Sequence, residues 1–203
     1  MADAAPHPAA ETIPGVAWGR LVRHADDRGS FRELWRASAF EELDPRLTGL
    51  PPGEPVRFVQ SNLSVSASGV LRGLHLHLRQ LDHWVVTAGR AFVALVDVRP
   101  MLGGADRPTV ECREVPADAW VTIPTGVAHG FLALEPLELV YFVTNYYDGA
   151  DELGFAWDDP DAAVPWPTVE GTSDGRPILS DRDRSNPPLR ALVRDIEARV
   201  PSR

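Results

Sequence analysis

The feature that most constrains the fold of this chain is a run of short, β-rich segments through its central part. Eight such segments cover four to nine residues each, and most are bounded by Gly, Pro, Asp or Asn. They are residues 56–63, 70–76, 84–87, 91–98, 109–115, 120–123, 131–134 and 137–145. Strands do not alternate with helical segments, which argues against a doubly wound parallel sheet. The pattern predicts an all-β protein whose antiparallel strands form a sandwich or a barrel.

The flanking regions differ in character from this central part. Residues 1–12 are rich in Ala and Pro and show no periodicity, which predicts a disordered tail. The remainder, 13–203, has the length of a single domain. We expect one short helix over 37–43 and a loop-rich zone after the last strand. Apolar residues at helical spacing then predict a short amphipathic C-terminal helix packed on the barrel or on a neighbour: Leu189, Leu192, Val193, Ile196 and Val200.

Composition narrows the classes of partner and the cellular setting. The formal net charge of −9 argues against non-specific binding to nucleic acid or to an anionic membrane, since both need clustered Lys and Arg. Cys112 is the single cysteine, which excludes an internal disulfide and metal sites built on several thiolates. The sequence has neither a signal-peptide pattern nor an apolar run long enough to span a bilayer. We therefore expect a cytoplasmic protein.

The most informative segment is the strand that carries two histidines, residues 69–77 (GVLRGLHLH). In a flat strand, His75 and His77 share one face and Arg72 lies on the other, although Gly73 permits a bulge that would change this. A further histidine, His129, follows the Pro/Gly turn of residues 123–131 (IPTGVAHGF). A histidine at a rigid strand end is well placed to face a cavity.

These histidines have two interpretations. A lone histidine in a strand is more commonly a hydrogen-bonded core or surface residue than a catalyst. Here, however, an arginine and two histidines fall within six positions and are flanked by glycines. Such a segment is poor core material, because buried polar groups need partners. The segment therefore predicts a functional site organised around His75.

Several motifs make the sequence similar to a known family. Residues 27–33 (DRGSFRE), 58–64 (FVQSNLS), 69–75, 123–131, Tyr141 with 144–147 (TNYY), and 179–183 (LSDRD) resemble, in order, the signatures of the dTDP-4-dehydrorhamnose 3,5-epimerases. The resemblance covers about residues 20–190. It implies a double-stranded β-helix, the jelly-roll barrel of cupin type, and a homodimer. It also implies an isomerase that needs no cofactor and epimerises a dTDP-4-keto-6-deoxyhexose at C3, C5 or both, in deoxysugar biosynthesis.

The same resemblance assigns roles to individual residues. His75 would be the general base, Asp183 the carboxylate that orients it, and Tyr141 the acid that reprotonates the opposite face of the sugar. The positions that match the family's contacts with its nucleotide-sugar are Arg28, Glu33, Gln60, Asn62, Arg72, His129, Glu152 and Arg182.

The chemistry of such a reaction fits these residue types. Epimerisation beside a ketone removes a weakly acidic C–H proton, stabilises an enolate oxygen and returns a proton from the other side. A neutral histidine with a carboxylate partner suits the base, and a phenol can deliver the proton. Arg72 is the candidate for stabilising the enolate oxygen, and Arg28 is suited to bidentate contact with the diphosphate.

At two positions the sequence departs from the family, which usually has Gln at the position of His77 and Lys at that of Asp82. A lysine near the enolate would contribute about 4 kcal/mol at 4 Å in an effective dielectric of 20, whereas an aspartate would repel it. With His75 and His129, these residues resemble the metal-binding signature of the wider cupin superfamily, with Asp in place of its usual Glu.

Three functions are therefore open. The first is the metal-free epimerase, and the second is a cupin enzyme that holds a divalent metal on His75, His77, Asp82 and His129. A metal ligand cannot also act as a free base, so His75 can serve in only one of these two. The third is a barrel that binds a nucleotide-sugar without catalysis.

Overall fold

The computed structural model describes residues 13–40, 43, 55–170 and 175–199. The strands within these ranges are β1 (Ala17–Arg20), β2 (His24–Asp26), β3 (Gly29–Phe31), β4 (Gln60–Ser66), β5 (Leu71–Leu76), β6 (Asp82–Ala88), β7 (Arg90–Asp97), β8 (Thr109–Pro116), β9 (Ala119–Ile123), β10 (Val127–Ala133), β11 (Leu137–Val143) and β12 (Leu153–Gly154). The helices are a 3₁₀ turn (Ala37–Phe40), α1 (Arg99–Leu102), α2 (Asp181–Ser185) and α3 (Leu189–Arg199).

The strands form two five-stranded sheets and a separate hairpin. The first sheet has the order β1-β9-β6-β11-β4 and the second the order β12-β5-β10-β7-β8, while β2 and β3 pair with each other in the hairpin. Every pairing between these strands is antiparallel. The chain crosses repeatedly between the sheets, which is the arrangement of a double-stranded β-helix. The all-β, cupin-type prediction is confirmed.

Strand β7 shows how alternate side chains fill two cores. Val93 and Leu95 pack with Phe131 and Leu139 between the sheets, whereas Ala94 and Val96 point to the outer face of the second sheet. This is the two-residue period of a strand that is buried on both sides. The second sheet is therefore held rigidly from both of its faces.

Helix α3 covers the outer face of the second sheet. Leu189, Leu192, Val193 and Ile196 are buried there in one cluster with residues of β5 and β7. The predicted amphipathic C-terminal helix is confirmed over Leu189–Arg199, and Val200 lies outside the described residues.

An aromatic cluster covers part of the outer face of the first sheet. Phe40, at the end of the 3₁₀ turn, stacks edge-on against Phe58 at 4.8 Å and against His83 at 4.9 Å between ring centroids. Trp35 stacks on Phe142 of β11 at 5.9 Å. The segment that leads into the barrel thus covers part of this face, while Leu63 and Val65 of β4 stay exposed.

The boundaries of the predicted elements differ from the observed ones in understandable ways. Strand β10 begins at Val127 rather than 131, directly after the Pro124–Gly126 turn. Strand β4 begins at Gln60, where its pairing with β11 starts, rather than at 56. The helix expected over 37–43 is a 3₁₀ turn over Ala37–Phe40, and residues 41–42 lie outside the described ranges.

Some elements were not predicted at all. Strands β1, β2, β3 and β12 are only two to four residues long, too short to show a pattern of their own. The tail predicted for residues 1–12 lies outside the described residues. Within the described ranges, the longest helices fall short of the length and apolarity needed to cross a bilayer.

Candidate functional site

A cavity of about 400 Å³ opens between the inner faces of the two sheets. The first sheet contributes inward-facing residues of β4, β6 and β11, and the second contributes residues of β5 and β10, while α2 and the segment before β12 form part of the rim. The lining residues predicted from sequence are Gln60, Asn62, Arg72, His75, His129, Tyr141, Glu152, Arg182 and Asp183, together with the metal candidates His77 and Asp82.

A bulge in β5 brings its polar side chains to the same cavity. His129 pairs with His75 and Phe131 pairs with Arg72, so two steps along β10 match three along β5. Gly73 lies within this extra length and has φ of 133°. The bulge breaks the two-residue alternation, and Arg72 consequently lines the cavity with His75 and His77.

The tight crossing of β5 and β10 requires glycine. A Cβ on Gly73 would lie 2.6 Å from the Cα of Gly130, and a Cβ on Gly130 would lie 2.8 Å from the carbonyl oxygen of Arg72. Neither backbone can give way without disturbing the sheet. These two glycines therefore fix where His75 and His129 sit.

His75 and Asp183 form the central polar pair of the cavity. Nε2 of His75 lies 2.7 Å from Oδ1 of Asp183, and the Asp183 side chain is only 5% exposed. Burial by itself would raise the pKa of Asp183, but the hydrogen bond from His75 and its charge outweigh this and lower that pKa. The ionised carboxylate accepts the Nε2–H of His75, so in the neutral imidazole the lone pair is on Nδ1.

Helix α2 sets the position of Asp183. Ser180 is the N-cap, and its Oγ accepts the backbone N–H of Asp183 at 3.1 Å and donates to Asp183 Oδ2 at 2.9 Å. One hydroxyl thus fixes both the backbone and the side chain of the carboxylate. The spacing from Ser180 to Asp183 is that of a capping motif, a signal in the sequence that our prediction of a loop overlooked.

Tyr141 lies on the opposite wall of the cavity from His75. It pairs with Asn62 of β4 and with Trp84 of β6 in the first sheet, whereas His75 belongs to the second. The pKa of Tyr141 is raised by burial and by the nearby charges of Asp82 and Glu152, against the opposing effects of Arg72 and Asn62. The phenol is therefore protonated at neutral pH.

His77, Asp82 and His129 meet on the floor of the cavity. One possible ligand atom from each lies within 4.8 Å of the others, and Nε2 of His129 is 3.9 Å from Oδ2 of Asp82. Burial raises the pKa of Asp82 and holds the pKa of His129 well below its usual value. His75 is not part of this group, because its Nε2 contacts Asp183. The structure thus brings together three of the four metal ligands suggested by the sequence.

The rim of the cavity carries paired charges. Arg182 forms an ion pair with Glu152. Burial alone would raise the pKa of Glu152, but the hydrogen bond and the charge of Arg182 outweigh burial and lower this pKa. Arg72 points inward from the bulge and donates through Nε to Ser66 Oγ at 3.2 Å. Tyr146 and Tyr147 line the mouth, where both are more than two-thirds exposed. Flat aromatic rings and cations at the mouth suit a nucleotide diphosphate.

Arg28 and Glu33 do not reach this cavity within the described chain. Arg28 sits at the exposed turn of the β2–β3 hairpin and pairs with Asp26 at 2.5 Å, while exposed Glu33 pairs with Arg36 at 2.7 Å. The base of the hairpin is anchored by Asp118, whose Oδ2 accepts a hydrogen bond from Nε of Arg23 at 2.7 Å. The strand residues of the hairpin are all exposed, and none of them lines the cavity.

Asp151 is a supporting residue that the sequence did not reveal. Its carboxylate accepts the backbone N–H groups of Leu78 at 3.0 Å and Arg79 at 3.2 Å, and its carbonyl oxygen lies 2.9 Å from Nδ1 of His77. Residue 151 is 74 positions from residue 77 in the chain. No local pattern connects two residues so far apart.

The fold and the cavity together define a class of protein, a cupin-type barrel enzyme with a buried His–Asp pair facing a tyrosine. The model of the family described as dTDP-4-dehydrorhamnose 3,5-epimerase matches residues 10–191. The chain belongs to this family.

Individual relatives agree with this assignment. The dTDP-4-dehydrorhamnose 3,5-epimerase of Pseudomonas aeruginosa is 38% identical over 180 residues, which is 85% of this chain and 90% of that protein. The dTDP-4-dehydrorhamnose 3-epimerase of Streptomyces niveus is 34% identical, covering 85% and 78% of the two chains.

A solved structure gives the same picture at the level of the fold. ChmJ, a 3'-monoepimerase from Streptomyces bikiniensis in complex with dTDP-quinovose, superposes with a TM-score of 0.73 at 30% identity. The match covers 94% of this chain and 90% of ChmJ. Relatives of both kinds thus exist, those named for inverting two carbons and those named for inverting one.

Proposed function

We propose that this protein is an isomerase that epimerises a dTDP-4-keto-6-deoxyhexose at C3, C5 or both, with His75 as base and Tyr141 as acid. The family, which includes 3,5-epimerases and 3-epimerases, supports the reaction class. The observation that carries the assignment of residues is the position of the His75–Asp183 pair and of Tyr141 on opposite walls of one cavity.

Proton removal is the task of His75. The carboxylate of Asp183 accepts Nε2–H, which leaves the Nδ1 lone pair for the substrate C–H. When His75 takes up the proton it becomes an imidazolium 2.7 Å from a carboxylate. Asp183 thus stabilises the charge that develops in the transition state, as the acidic member of a catalytic triad does.

Proton return is the task of Tyr141. Its raised pKa keeps the phenol protonated, and its place in the first sheet lets it deliver the proton to the sugar face opposite His75. Removal on one face and return on the other inverts the carbon. Arg72 supplies positive charge and hydrogen bonds for the enolate oxygen between the two steps.

Binding of the nucleotide part falls to the rim residues. Gln60, Asn62, Glu152 and Arg182 line the cavity with a mixture of amide and charged groups, whereas His129, another position predicted to contact the nucleotide-sugar, lies on the cavity floor. The Arg182 guanidinium is suited to a diphosphate oxygen, since planar donors bind phosphate in a bidentate manner.

We further propose a homodimer in which a second copy completes the site. The hairpin that carries Arg28 does not line its own cavity, and its Phe31 is 72% exposed. Leu63 and Val65 on edge strand β4 are also 59% and 62% exposed, more apolar surface than an edge strand normally leaves uncovered. Arg28 and Glu33 would then contact substrate in the partner's cavity. Sedimentation equilibrium tests this, and a monomer at micromolar concentration would refute it.

A cytoplasmic location stays a prediction.

Solvent exchange tests the reaction. Incubation with a dTDP-4-keto-6-deoxyhexose in D₂O should place deuterium at C3, at C5 or at both, read by NMR at each carbon. Deuterium at C3 alone would define a single epimerisation. Binding of the nucleotide-sugar without exchange at either carbon would reject the proposal in favour of a non-catalytic barrel.

Two variants separate the two proton transfers. In His75→Ala the rate of deuterium exchange should fall by about 10²-fold or more, because no base remains to remove the proton. Tyr141→Phe should lose inversion while His75 still exchanges protons on its own face. The exposed Asp195 on helix α3 provides a control, Asp195→Ala, that should exchange as the wild type does. Inversion at the normal rate in Tyr141→Phe would remove Tyr141 from the mechanism.

A further inference from the structure

The group formed by His77, Asp82 and His129 is not used by the proton-transfer steps described above. Its ligand atoms lie within 4.8 Å of one another, and Asp82 and His129 are nearly inaccessible to solvent. A metal bound at about 2.1 Å to nitrogen and oxygen holds its ligand atoms about 3 to 4 Å apart. Small side-chain rotations would bring the group to that spacing.

The hydrogen bonds of the two histidines orient their lone pairs. Nδ1 of His77 lies 2.9 Å from the carbonyl oxygen of Asp151, and Nδ1 of His129 lies 3.1 Å from that of Val127. A carbonyl oxygen can only accept, so both Nδ1 atoms carry the proton. Both Nε2 atoms are thereby left with a free lone pair. This is the arrangement in which a backbone carbonyl fixes the tautomer of a metal-binding histidine.

Among the residues that the structure describes, no arginine is paired with Asp82. Within the described residues, its carboxylate accepts hydrogen bonds from the neutral Gln80 side chain at 3.2 and 3.4 Å, and its contact with His129 is 3.9 Å long. Burying a carboxylate without a compensating charge is costly. A cation between the three side chains would supply that charge.

We propose that His77, Asp82 and His129 bind a divalent transition-metal ion on the floor of the cavity. Two imidazoles and one carboxylate suit Zn²⁺, Fe²⁺, Mn²⁺ or Co²⁺ and leave coordination positions open towards the cavity. His75 is not a ligand. Its Nε2 is bound to Asp183, so the base and the metal occupy the same cavity without competing for one side chain.

The role of the ion rests on the proposed epimerase function. An aspartate alone at this place would repel an enolate oxygen, whereas the loaded group carries a net positive charge. An ion held by His77, Asp82 and His129 would supply Lewis-acid charge for the sugar ketone and the enolate oxygen, while His75 holds the proton. Arg72 assists from the bulge.

Metal binding is tested directly, without substrate. Protein stripped with a chelator is titrated with Co²⁺, and the expected result is one ion per chain with visible d–d absorption bands. At a concentration about 100-fold above Kd, the Tm should rise by about 5–10 °C. Absence of both signals up to about 1 mM Co²⁺ would overturn the site.

Substitutions locate the ligands. Asp82→Asn and His77→Gln keep the shape of the side chains and should each weaken Co²⁺ binding by at least about 10-fold. The exposed residues Asp195 and His24 give matched controls, Asp195→Asn and His24→Gln, which should bind as the wild type does. Tm without metal shows that each variant is folded. Unchanged binding in both ligand variants would place the ion elsewhere and refute the assignment.

Activity separates this inference from the proposed function. The expected result is deuterium exchange that falls at least about 10-fold on stripping and returns with Zn²⁺, Fe²⁺ or Mn²⁺. Exchange at full rate in stripped protein would overturn the catalytic ion and leave the epimerase intact. If Co²⁺ binds through all three ligands but no deuterium exchange is seen with any metal, the epimerase function is refuted and the metal site is retained.

Discussion

At the scale of single residues, function depends on how one buried carboxylate is held. Asp183 is fixed by the Ser180 hydroxyl on one oxygen and by His75 on the other. Its lowered pKa means that it is ionised whenever His75 must act as a base. The imidazole therefore has one tautomer and one orientation before substrate arrives, and this preorganisation is what the pair contributes to the rate.

Replacing Asp183 by its amide should slow catalysis with little effect on binding. In Asp183→Asn the side chain can donate to Nε2 and favour the wrong tautomer of His75, so kcat should fall by about 10²-fold or more while KM changes little. Steady-state kinetics measures both. The control is Asp181→Asn, an exposed carboxylate in the same helix α2. A fall in kcat equal to that of the control would contradict the proposed role.

At the scale of elements, the bulge in β5 decides which side chains meet. Without the extra residue, Arg72 would face away from His75, and the cavity would lose its inward-pointing arginine. The bulge depends on close backbone contact between Gly73 and Gly130. Helix α2 makes a comparable contribution from the rim, since its first turn carries both Asp183 and Arg182.

A methyl group on Gly73 should disrupt this crossing. Gly73 and Gly29 have almost the same φ, 133° and 131°, but a Cβ on Gly29 would meet nothing within 4 Å. Gly29→Ala should therefore lower the free energy of unfolding by about 1–3 kcal/mol for backbone strain alone. Gly73→Ala should lower the free energy of unfolding by at least about 2 kcal/mol more than Gly29→Ala does, because its Cβ would lie 2.6 Å from the backbone of Gly130.

Urea denaturation of both variants measures the difference. The comparison removes the effect of φ, so the remainder reports the backbone clash between β5 and β10. Equal losses in the two variants would show that the crossing tolerates a side chain and that glycine is needed there for its dihedral angle only.

At the scale of the whole molecule, the two sheets differ in how they are covered. The second sheet is buried on its outer face by α3, and the first is covered there partly by the aromatic cluster around Phe40. His83 lies within that cluster, 4% exposed, with Nδ1 2.9 Å from Thr122 Oγ1. Burial lowers the pKa of His83 to about 4.

This buried histidine should make the protein less stable in mild acid. Below pH 6.5 the unfolded chain takes up a proton on His83, whereas the folded chain does so only near pH 4. The unfolded state binds more protons in that window, so stability falls as pH is lowered through it, by about 3 kcal/mol from this residue. The pKa of His129 is lowered in the same direction.

Chemical denaturation at pH 7 and at pH 4 measures the effect. The side chain in His83→Gln cannot titrate. The free energy of unfolding of this variant should therefore fall by fewer kcal/mol between pH 7 and pH 4 than that of the wild type. His24→Gln, at an exposed position, should keep the wild-type pH dependence. A wild-type dependence retained by His83→Gln would show that other groups cause the loss.

The sequence by itself determined the fold class, most strand positions and the C-terminal helix, because these depend on apolar periodicity and on Gly/Pro turns that act over a few residues. It also indicated His75, Tyr141 and Asp183 through resemblance. Tertiary structure alone decided that Arg72 shares a cavity with His75, since the register of β5 against β10 sets this. It also separated Arg28 and Glu33 from the cavity of their own chain, and it separated His75 from the group of His77, Asp82 and His129, because such contacts depend on how distant strands pack.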